Sequence, residues 1–468
     1  MIDDATLQRT LRRALARGGD YADVFVERRQ TTAVAMEDSR IERVNAGTEQ
    51  GAGVRVSAGL ATAYAYTDEL SEAALERAAA AAAAAVRSRG AEATTVVDLN
   101  ERPVAAQPLR LPPLDVAMER KVTLLKAADE RARATGGEIR QVTAQYLEGV
   151  QSIAVATSDG TLARDQRTRV RAYVQAVAVR GNEVQSAMEA PGASRGFEFF
   201  DGPALSDAAE IAARRSLLLL DADPAPAGTM AVVVGKDFGG VLFHEASGHG
   251  LEADHIAKRS SVFAGQMGQL VASPLVTAVD DGTVEGAWGT LRIDDEGVPT
   301  ARNVLIEEGV LTGYMFDRLR ARQDGRPSTG NGRRQSYQHI PMPRMTNTFI
   351  LAGESSPEEI IAATKHGLYA KTLGAGQVNT VSGDFVFAVT EGYLIEDGRI
   401  TRPVRGATLV GNGPQALRRI DMVGTDLGLA AGTCGKDGQA VPVSVGQPHL
   451  RIAELVVGGT RLVSGVQM

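Results

Sequence analysis

The chain contains one cysteine, one tryptophan and no long uninterrupted apolar segment. A single cysteine excludes an internal disulfide, which fits a reducing compartment, and leaves the thiol of Cys434 to be explained on its own. The longest apolar tract is the alanine-rich stretch 78–85, far shorter than the roughly 20 residues of a membrane-spanning helix. The first ten residues, MIDDATLQRT, lack the basic and apolar regions of a secretory signal. We therefore expect no membrane association and a cytoplasmic location.

The chain also lacks an excess of basic residues. Its 468 residues include 57 Asp and Glu against 50 Lys and Arg, which gives a formal net charge of −7. With no dense Lys/Arg stripe, the charge pattern does not favour direct binding to nucleic acid. Hydrophobic residues make up 44% of the chain and charged residues 23%, as in ordinary globular proteins. The length exceeds what one hydrophobic core normally serves, so two or three domains are expected.

The first domain is predicted to span residues 1–222 and to mix helices with strands. An amphipathic helix opens it, because leucines recur every four residues, and short strands with alternating side chains follow. The predicted elements are a helix through Leu7, Leu11 and Leu15, strands around 54–57 and 60–66, helices at 71–87, 115–135 and 206–219, and a hairpin at 145–180. A long connection containing four prolines is expected at about 88–114.

The second domain is predicted to span residues 229–468 and to be mostly β-structure. The segment DADPAPAG at 221–228 precedes it, and two prolines in a short alanine-rich stretch form a semi-rigid spacer. The apolar strand MAVVVG follows at 230–235. Further expected elements are hairpins at the Glu308-Gly309 and Asp397-Gly398 turns and helices at 356–366 and 414–420. The predicted fold class is therefore α+β in two domains, the second of which carries a histidine-containing helix.

That helix, GVLFHEASGHGLEADH at 240–255, places two histidines five positions apart. In the HExxH pattern of zinc peptidases, a spacing of four puts both imidazoles about 40° apart on one helix face. A spacing of five puts His244 and His249 about 140° apart in a regular α-helix, too far to share one ion. Gly248 offers a solution, because a π-bulge or a kink there would bring both histidines onto one face. Glu245 suits a metallopeptidase, which needs a carboxylate beside the metal-bound water.

A chance pair is the alternative, since the chain has six histidines. A catalytic zinc site also needs a third protein ligand, and the candidates are His255, Glu252, Asp254 and Cys434. Metzincins place a third histidine at the spacing of His255, but with a glycine where this chain has Glu252. Cys434 is the sharper candidate, because AAGTCGKDGQ is interpreted as a glycine-rich loop in which Lys436 favours the thiolate.

The segment NGRRQSY at 331–337 carries candidate substrate-binding groups. It begins as a turn, and Arg333, Arg334 and Tyr337 follow. Such side chains could bind a peptide carboxylate or stabilise a tetrahedral oxyanion. The alternative is a solvated, positively charged turn.

The segment RMTNTFILAG at 344–353 alternates like a strand and contains Asn347. It is either an edge strand along which an extended peptide could pair, with Asn347 as a substrate contact, or an ordinary strand within a sheet. Trp288 is expected in the core. The acidic run Asp294-Asp295-Glu296 is expected in a solvated turn.

Four long segments together resemble the TldD/TldE (PmbA) family. They are GGVLFHEASGHGLEAD, GNGRRQSYQHIPMPRMTNTFILAG, GDFVFAVTEGYLIEDGRI and GTCGKDGQAVPVSVGQPHLRIAELVVGG. The resemblance covers nearly the whole chain, although the N-terminal region matches in layout more than in residues. Its members are cytoplasmic zinc metallopeptidases once described as modulators of DNA gyrase. The resemblance therefore implies that the extra residue between the histidines is the family's own HExxxH pattern.

The resemblance also implies a site and a partner. The family's catalytic branch holds one zinc through positions that fall on His244, His249 and Cys434, with Glu245 as the catalytic glutamate. Because every ligand position is present, the chain resembles the catalytic TldD-like branch. The implied activity is hydrolysis of small or unfolded peptides by a dimer, formed with itself or with a TldE-like paralogue. The alternative is a non-hydrolytic TldE-like partner or peptide-binding module with a structural metal, closed most plausibly by His255 as a fourth ligand.

Overall fold

The computed structural model describes residues 2–86 and 94–459. Over these residues the chain mixes helices and strands, and its C-terminal part is mostly β-structure, so the α+β prediction is confirmed. Arg87 of the predicted helix and residues 88–93 of the predicted connection lie outside the described residues. The rest of that connection contains a three-residue strand and a 3₁₀ turn. None of the described helices is long and apolar enough to span a membrane.

The N-terminal part contains four helices and eight strands among its described residues. Their bounds are α1 Asp4–Ala14, β1 Tyr21–Glu37, β2 Arg40–Ala58, β3 Ala61–Thr67, α2 Glu72–Ala85, β4 Asn100–Arg102, α3 Met118–Ala134, β5 Ile139–Thr157, β6 Thr161–Arg180, β7 Glu183–Glu189, β8 Gly192–Ala193 and α4 Ala204–Asp221. The Asp3 carboxylate caps α1 by accepting from the Thr6 N–H, and the predicted leucine stripe is buried. Every helix predicted in this part is confirmed.

These eight strands form one sheet in the order β3-β2-β1-β5-β6-β4, with β7 and β8 also paired to β6. The expectation of short strands is wrong here, because β1 has 17 residues and β2 has 19. The first half of β2 is exposed on both faces, so it shows no alternation of apolar and polar residues. A strand of this kind cannot be recognised from periodicity.

The C-terminal part carries two larger sheets and one small one. Its elements are β9 Asp223–Pro224, β10 Gly228–Val234, α5 Val241–Phe243, α6 Ala253–Ala257, β11 Ala278–Asp281, β12 Arg302–Glu307, β13 Val310–Leu311, α7 Arg318–Gln323, β14 Gly332–Arg333, β15 Met342–Pro343, β16 Asn347–Ile350, α8 Pro357–Ala362, β17 His366–Val378, β18 Asp384–Glu396, β19 Arg399–Arg405, β20 Thr408–Asn412, α9 Gly413–Arg418, β21 Ile420–Val423, β22 Gly428–Lys436, β23 Gln439–Gln447 and β24 Leu450–Gly458.

One of the two larger sheets of the C-terminal part runs β17-β10-β24-β20-β18-β19-β9. A further pairing of β17 with β18 closes five of its strands into a ring. The other larger sheet, called the second sheet below, runs β13-β12-β11-β16-β23-β22, and β14 pairs with β15 in the small sheet. Both predicted hairpins, β12–β13 and β18–β19, are confirmed. The sheet of β1–β8, called the first sheet below, uses only strands before residue 194. The sheets of the C-terminal part use only strands after residue 222. The domain limits 1–222 and 229–468 stay a prediction.

Buried ion pairs connect the first sheet to the C-terminal part. Arg55 of β2 is 1% exposed and binds Asp23 and Glu296, with its Nη2 2.6 Å from the Glu296 Oε1. Arg167 of β6 donates to Asp295 at 2.6 Å. The prediction of a solvated turn for the acidic run 294–296 is therefore wrong. Arginines distant in sequence neutralise Asp295 and Glu296, and Asp294 accepts hydrogen bonds from the backbone N–H groups of Glu296, Val298 and Gly332.

We expect Arg55→Met to lower the free energy of unfolding by about 3–5 kcal/mol, because two buried carboxylates lose the guanidinium that donates to each of them at 2.6 Å. The matched control is Arg9→Met, which removes a half-exposed pair with Glu72 and should cost less than about 1 kcal/mol. Urea denaturation followed by circular dichroism measures both values. Equal losses in the two variants would contradict a structural role for the buried pairs.

Candidate metal centre

The two predicted histidine ligands lie on a π-helical turn. Residues His244–Gly248 form this turn between α5 and a 3₁₀ turn at His249–Leu251, and the His249 backbone N–H donates to the His244 carbonyl. This i→i+5 bond closes one turn over five residues, so both side chains leave the same face. Their ring centroids are 5.2 Å apart. The sequence-based expectation of a π-bulge is confirmed.

Close packing explains the glycines around this turn. A Cβ on Gly248 would lie 2.4 Å from the Met345 Sδ, so a larger residue would displace that side chain. A Cβ on Gly240 would lie 2.4 Å from the backbone nitrogen of Gly446 in β23. The helical segment therefore rests directly on the backbone of the second sheet, which fixes its position relative to β22 and β23.

Cys434 lies within β22, two residues before its end, opposite Val441 of β23. The interpretation of its surroundings as a glycine-rich loop is wrong, because the turn follows only at Asp437-Gly438. Side chains of a strand alternate, so Cys434 and Lys436 both face inward while Gly435 faces out. Alternation was hidden in the sequence because this strand is rich in glycine and alanine rather than large apolar residues.

The structure brings His244, His249 and Cys434 together. One potential ligand atom from each lies within 4.8 Å of the others, and all three side chains are buried. The Cys434 Sγ is 3.4 Å from the His249 Nε2. Burial alone would raise the pKa of the Cys434 thiol, but the facing imidazoles of His244 and His249 outweigh it and hold the pKa well below its usual value. The thiolate required of a metal ligand is thus favoured.

Glu252 holds His249 from the other side. Its Oε2 lies 2.9 Å from the His249 Nδ1, which leaves Nε2 directed at Cys434. Burial would lower the pKa of His249, but Glu252 and Cys434 raise it well above its usual value. Burial would raise the pKa of the Glu252 carboxyl, but Lys436 and His249 hold it far below its usual range. A metal-binding histidine usually has such a carboxylate on its second nitrogen.

Sequence reasoning considered Glu252 and Asp254 only as ligands, whereas the structure pairs both with Lys436. The Lys436 Nζ is 2.9 Å from Glu252 and 2.7 Å from Asp254, so its ammonium is already paired with two carboxylates. These two residues and His255 form a second group of potential ligands, called the acidic group below. The expectation that Lys436 favours the Cys434 thiolate directly is not supported by these contacts. The His255 Nδ1 lies 3.3 Å from the Ser260 Oγ, outside the group of His244, His249 and Cys434.

Glu245 lies beside the histidine pair without belonging to it. Its Oε2 is 3.8 Å from the His249 Nε2. Its side chain is 25% exposed, against 7% for His249, so it is the more accessible of the two. Glu245 is therefore positioned next to the donor group and is partly accessible to solvent, and its catalytic role stays a prediction.

The donor set fits a metal ion that prefers nitrogen and sulfur ligands. Two imidazoles and a thiolate converge, and the His244 Nδ1 is buried without a hydrogen-bond partner among the described residues. Unpartnered buried polar atoms are rare in proteins and require an explanation. Zinc accepts this set of donors with a fourth position left open.

The candidate substrate residues of 331–337 lie elsewhere and are not a solvated turn. Arg333 and Arg334 are 2% and 3% exposed, and Tyr337 is 3% exposed. Arg333 donates to the carbonyls of Met345 and Pro442, and Arg334 donates to the Asp295 carbonyl and the Tyr64 hydroxyl. None of the three belongs to the metal-donor group, and their contact with substrate stays a prediction.

The interpretation of 344–353 as an edge strand is wrong. The strand β16 pairs with β11 on one side and with β23 on the other. Asn347 is fully buried, donates to the Asp281 carbonyl and the Thr290 hydroxyl, and accepts from the Gly289 N–H. A substrate contact by Asn347 stays a prediction and would require these bonds to open.

Family models match three parts of the chain. Domain 1 of the PmbA/TldA metallopeptidases matches residues 22–86, the central domain 111–220 and the C-terminal domain 227–459. The metal-donor group lies wholly within the third match.

Two relatives match this chain over almost their whole length. A metalloprotease TldD homolog from Haemophilus influenzae is 43% identical over 453 residues, 94% of this chain and 93% of the relative. A metalloprotease from Methanothermobacter thermautotrophicus is 34% identical over 444 residues, 94% of this chain and 96% of the relative. The crystal structure of TldE from Thermococcus kodakarensis superposes with a TM-score of 0.78 at 20% identity, over 97% of this chain and all of that one, which shows the fold alone. The resemblance detected in the sequence is confirmed, and the relatives' names support a metallopeptidase role.

We expect Glu252→Gln to weaken metal binding about 10–100-fold, because an amide supports the imidazole less strongly than a carboxylate. The control is Asp254→Asn, which removes the other carboxylate on Lys436 but does not touch His249. Competition with a chelator of known affinity measures both variants. An equal effect of the two substitutions would show that the charge around Lys436 matters and the contact with His249 does not.

Proposed function

The chain belongs to the TldD/PmbA metallopeptidase family, and from this premise we propose that it is a TldD-like zinc peptidase acting on small or unfolded peptides. The observation that carries the proposal is the π-helical turn, which supports the placing of His244 and His249 on one ion together with Cys434. Glu245 beside this group supports hydrolysis rather than storage of a metal.

The proposed ligands are the imidazoles of His244 and His249 and the thiolate of Cys434, with one zinc per chain. Two neutral imidazoles and one thiolate leave a formal charge of +1 at the site. When bound there, zinc would polarise the peptide carbonyl and make a coordinated water more acidic. Binding would also displace the proton that the raised pKa of His249 favours in the metal-free chain.

The chain's own residues would move the protons. Glu245 would accept a proton from the attacking water at its carboxylate and pass it to the leaving amine. Its partial exposure supports contact with a peptide. The Glu252 carboxylate would accept a hydrogen bond from the His249 Nδ1–H and so keep the His249 Nε2 directed inward. Lys436 would hold Glu252 ionised.

The alternative is a non-hydrolytic module with a structural metal closed by His255. The contact of His255 with Ser260 and its place in the acidic group around Lys436 support a site with three ligands over a closed one. We also propose a cytoplasmic dimer, formed with itself or with a TldE-like paralogue. The likeness in fold to TldE is consistent with pairing between such chains.

We expect Glu245→Gln to retain metal and to lose peptide cleavage by about 100-fold or more, because a proton-transfer group contributes about 10²–10⁴ to the rate. The chain is assayed with its partner, if one is required, on an unfolded peptide, and metal is measured on the same sample. Glu42→Gln, which alters an exposed glutamate of β2, is the control. Cleavage at the control rate by Glu245→Gln would refute the proposed role.

Elemental analysis should find about one zinc per chain and almost none in Cys434→Ala, because a catalytic site needs three protein ligands. The matched control is Gly435→Ala, the next residue of β22, where an added Cβ meets no atom within 4 Å. Zinc retained by Cys434→Ala would return the third-ligand role to His255, Glu252 or Asp254.

A further inference from the structure

A cavity of about 230 Å³ lies between the first sheet and the C-terminal part. Two carboxylates line it, Glu148 and Asp295, and so do five arginines. The arginines are Arg29, Arg167, Arg169, Arg333 and Arg334. His244, His249 and Cys434 are not among its lining residues, so the cavity is separate from the candidate metal centre.

Three of these arginines are already paired with carboxylates. Arg167 donates to Asp295 at 2.6 Å, and Arg29 donates to Glu27 at 2.6 Å. Arg334 lies 3.5 Å from the Asp23 carboxylate. These pairs neutralise part of the positive charge around the cavity.

Arg169 and Arg333 have no such compensation. Within the part of the chain that the structure describes, neither has a carboxylate within 4.0 Å, and both donate to backbone carbonyls instead. Arg333 is only 2% exposed. Two guanidinium groups therefore line one cavity without a carboxylate paired to them, since Asp295 is bound by Arg167 and Glu148 by Lys121. An unpaired cation is costly in a buried environment.

Side chains that line the cavity also carry hydrogen-bond donors that have no acceptor among the described residues. The Nε of Arg333, the Nε of Arg334 and the Nε1 of Trp288 are buried and unpartnered among the described residues. All three side chains line the cavity. Trp288 is only half-buried, so the expectation of a core tryptophan is wrong. Unpaired donors on these side chains, together with two arginines that lack a paired carboxylate, are consistent with a ligand that accepts hydrogen bonds and carries negative charge.

The charge of the two arginines persists at neutral pH. Burial and the nearby Arg167 and Arg333 lower the pKa of Arg169 to about 9. Burial lowers the pKa of Arg333 to about 10, with Arg344 and Arg167 acting in the same direction against Asp295. Both values lie above 7, so both guanidinium groups are cationic and an anion beside them would be stabilised.

We propose that this cavity binds a small oxyanion, a carboxylate or phosphate group, through Arg169 and Arg333 with Trp288 alongside. The planar guanidinium matches the oxygens of either group. The volume is below the roughly 300–1,000 Å³ of pockets for drug-sized ligands, so one small anionic group fits rather than a large cofactor. The group belongs to a free anion or to the end of a peptide, and this site goes beyond the proposed hydrolysis.

Trp288 is the only tryptophan of the chain, so its fluorescence reports on this cavity alone. We would titrate the full-length chain with inorganic phosphate, with N-acetylglycine and with the neutral amide of N-acetylglycine, at an ionic strength held constant with chloride. We expect a saturable change with phosphate, with N-acetylglycine, or with both, and none with the amide. Saturation by phosphate alone identifies a free-anion site, and saturation by N-acetylglycine alone identifies a site for a peptide's terminal carboxylate.

Arg169→Met should weaken the binding of the anion roughly tenfold or more, because one charge-assisted hydrogen-bond partner is lost. The control is Arg110→Met, which removes the same charge from a largely exposed side chain outside the cavity and should leave the affinity unchanged. Should Arg169→Met fail to fold, Arg29→Met tests another arginine that lines the cavity, at a partly exposed position. Its pairing with Glu27 predicts a smaller loss of affinity, in the same direction.

Three results would overturn the proposal. They are no saturable response of the wild-type chain to either anion, a response that the neutral amide or chloride reproduces, and an affinity that neither cavity variant changes. The first two need no variant, so the proposal is tested even where a substitution prevents folding.

Discussion

The candidate centre depends on one hydrogen bond, from the His249 N–H to the His244 carbonyl. In a regular α-helix the same two residues would point about 140° apart and could not share an ion. The i→i+5 geometry removes this conflict without breaking the helical segment. Gly248 permits the turn to lie against Met345, and Gly240 permits its start to lie against the backbone of β23. These two glycines therefore allow the segment that carries the turn to pack closely against its neighbours.

The third donor and its support arise from matching two different periodicities. On the helical side, His249 and Glu252 are three residues apart and hydrogen-bonded to each other. On β22, Cys434 and Lys436 are two residues apart and share the inward face. The two pairs meet as His249 with Cys434 and Glu252 with Lys436. One contact supplies ligand atoms, and the other fixes the charge and orientation of the imidazole.

Buried arginines lie at the junction between the first sheet and the C-terminal part, and they differ in whether a carboxylate is paired with them. Where a carboxylate faces them, as Glu296 faces Arg55, they connect distant parts of the chain. Where none does, as at Arg169 and Arg333, the charge is left for a ligand. The same residue type thus serves for cohesion and for recognition, and only the presence of a partner distinguishes the two uses. Net charge hides this distinction, because the chain as a whole is acidic.

The sequence by itself determined the four helices of the N-terminal part, the helices near 356–366 and 414–420, the two hairpins of the C-terminal part, the α+β class and the unusual spacing of His244 and His249. Capping, periodicity and turn residues are local, whereas the short helix Arg318–Gln323 was not predicted. The sequence also indicated, through family resemblance, that Cys434 belongs with His244 and His249. Only the tertiary structure decided that Cys434 lies on a strand, that Glu252 supports His249 and that the run 294–296 is buried. Each of these outcomes depends on partners from 3 to 241 positions away, such as Arg55 for Glu296, and on the register of strands that no local pattern records. Burial of charge is a property of the pair, so one half of the pair cannot predict it.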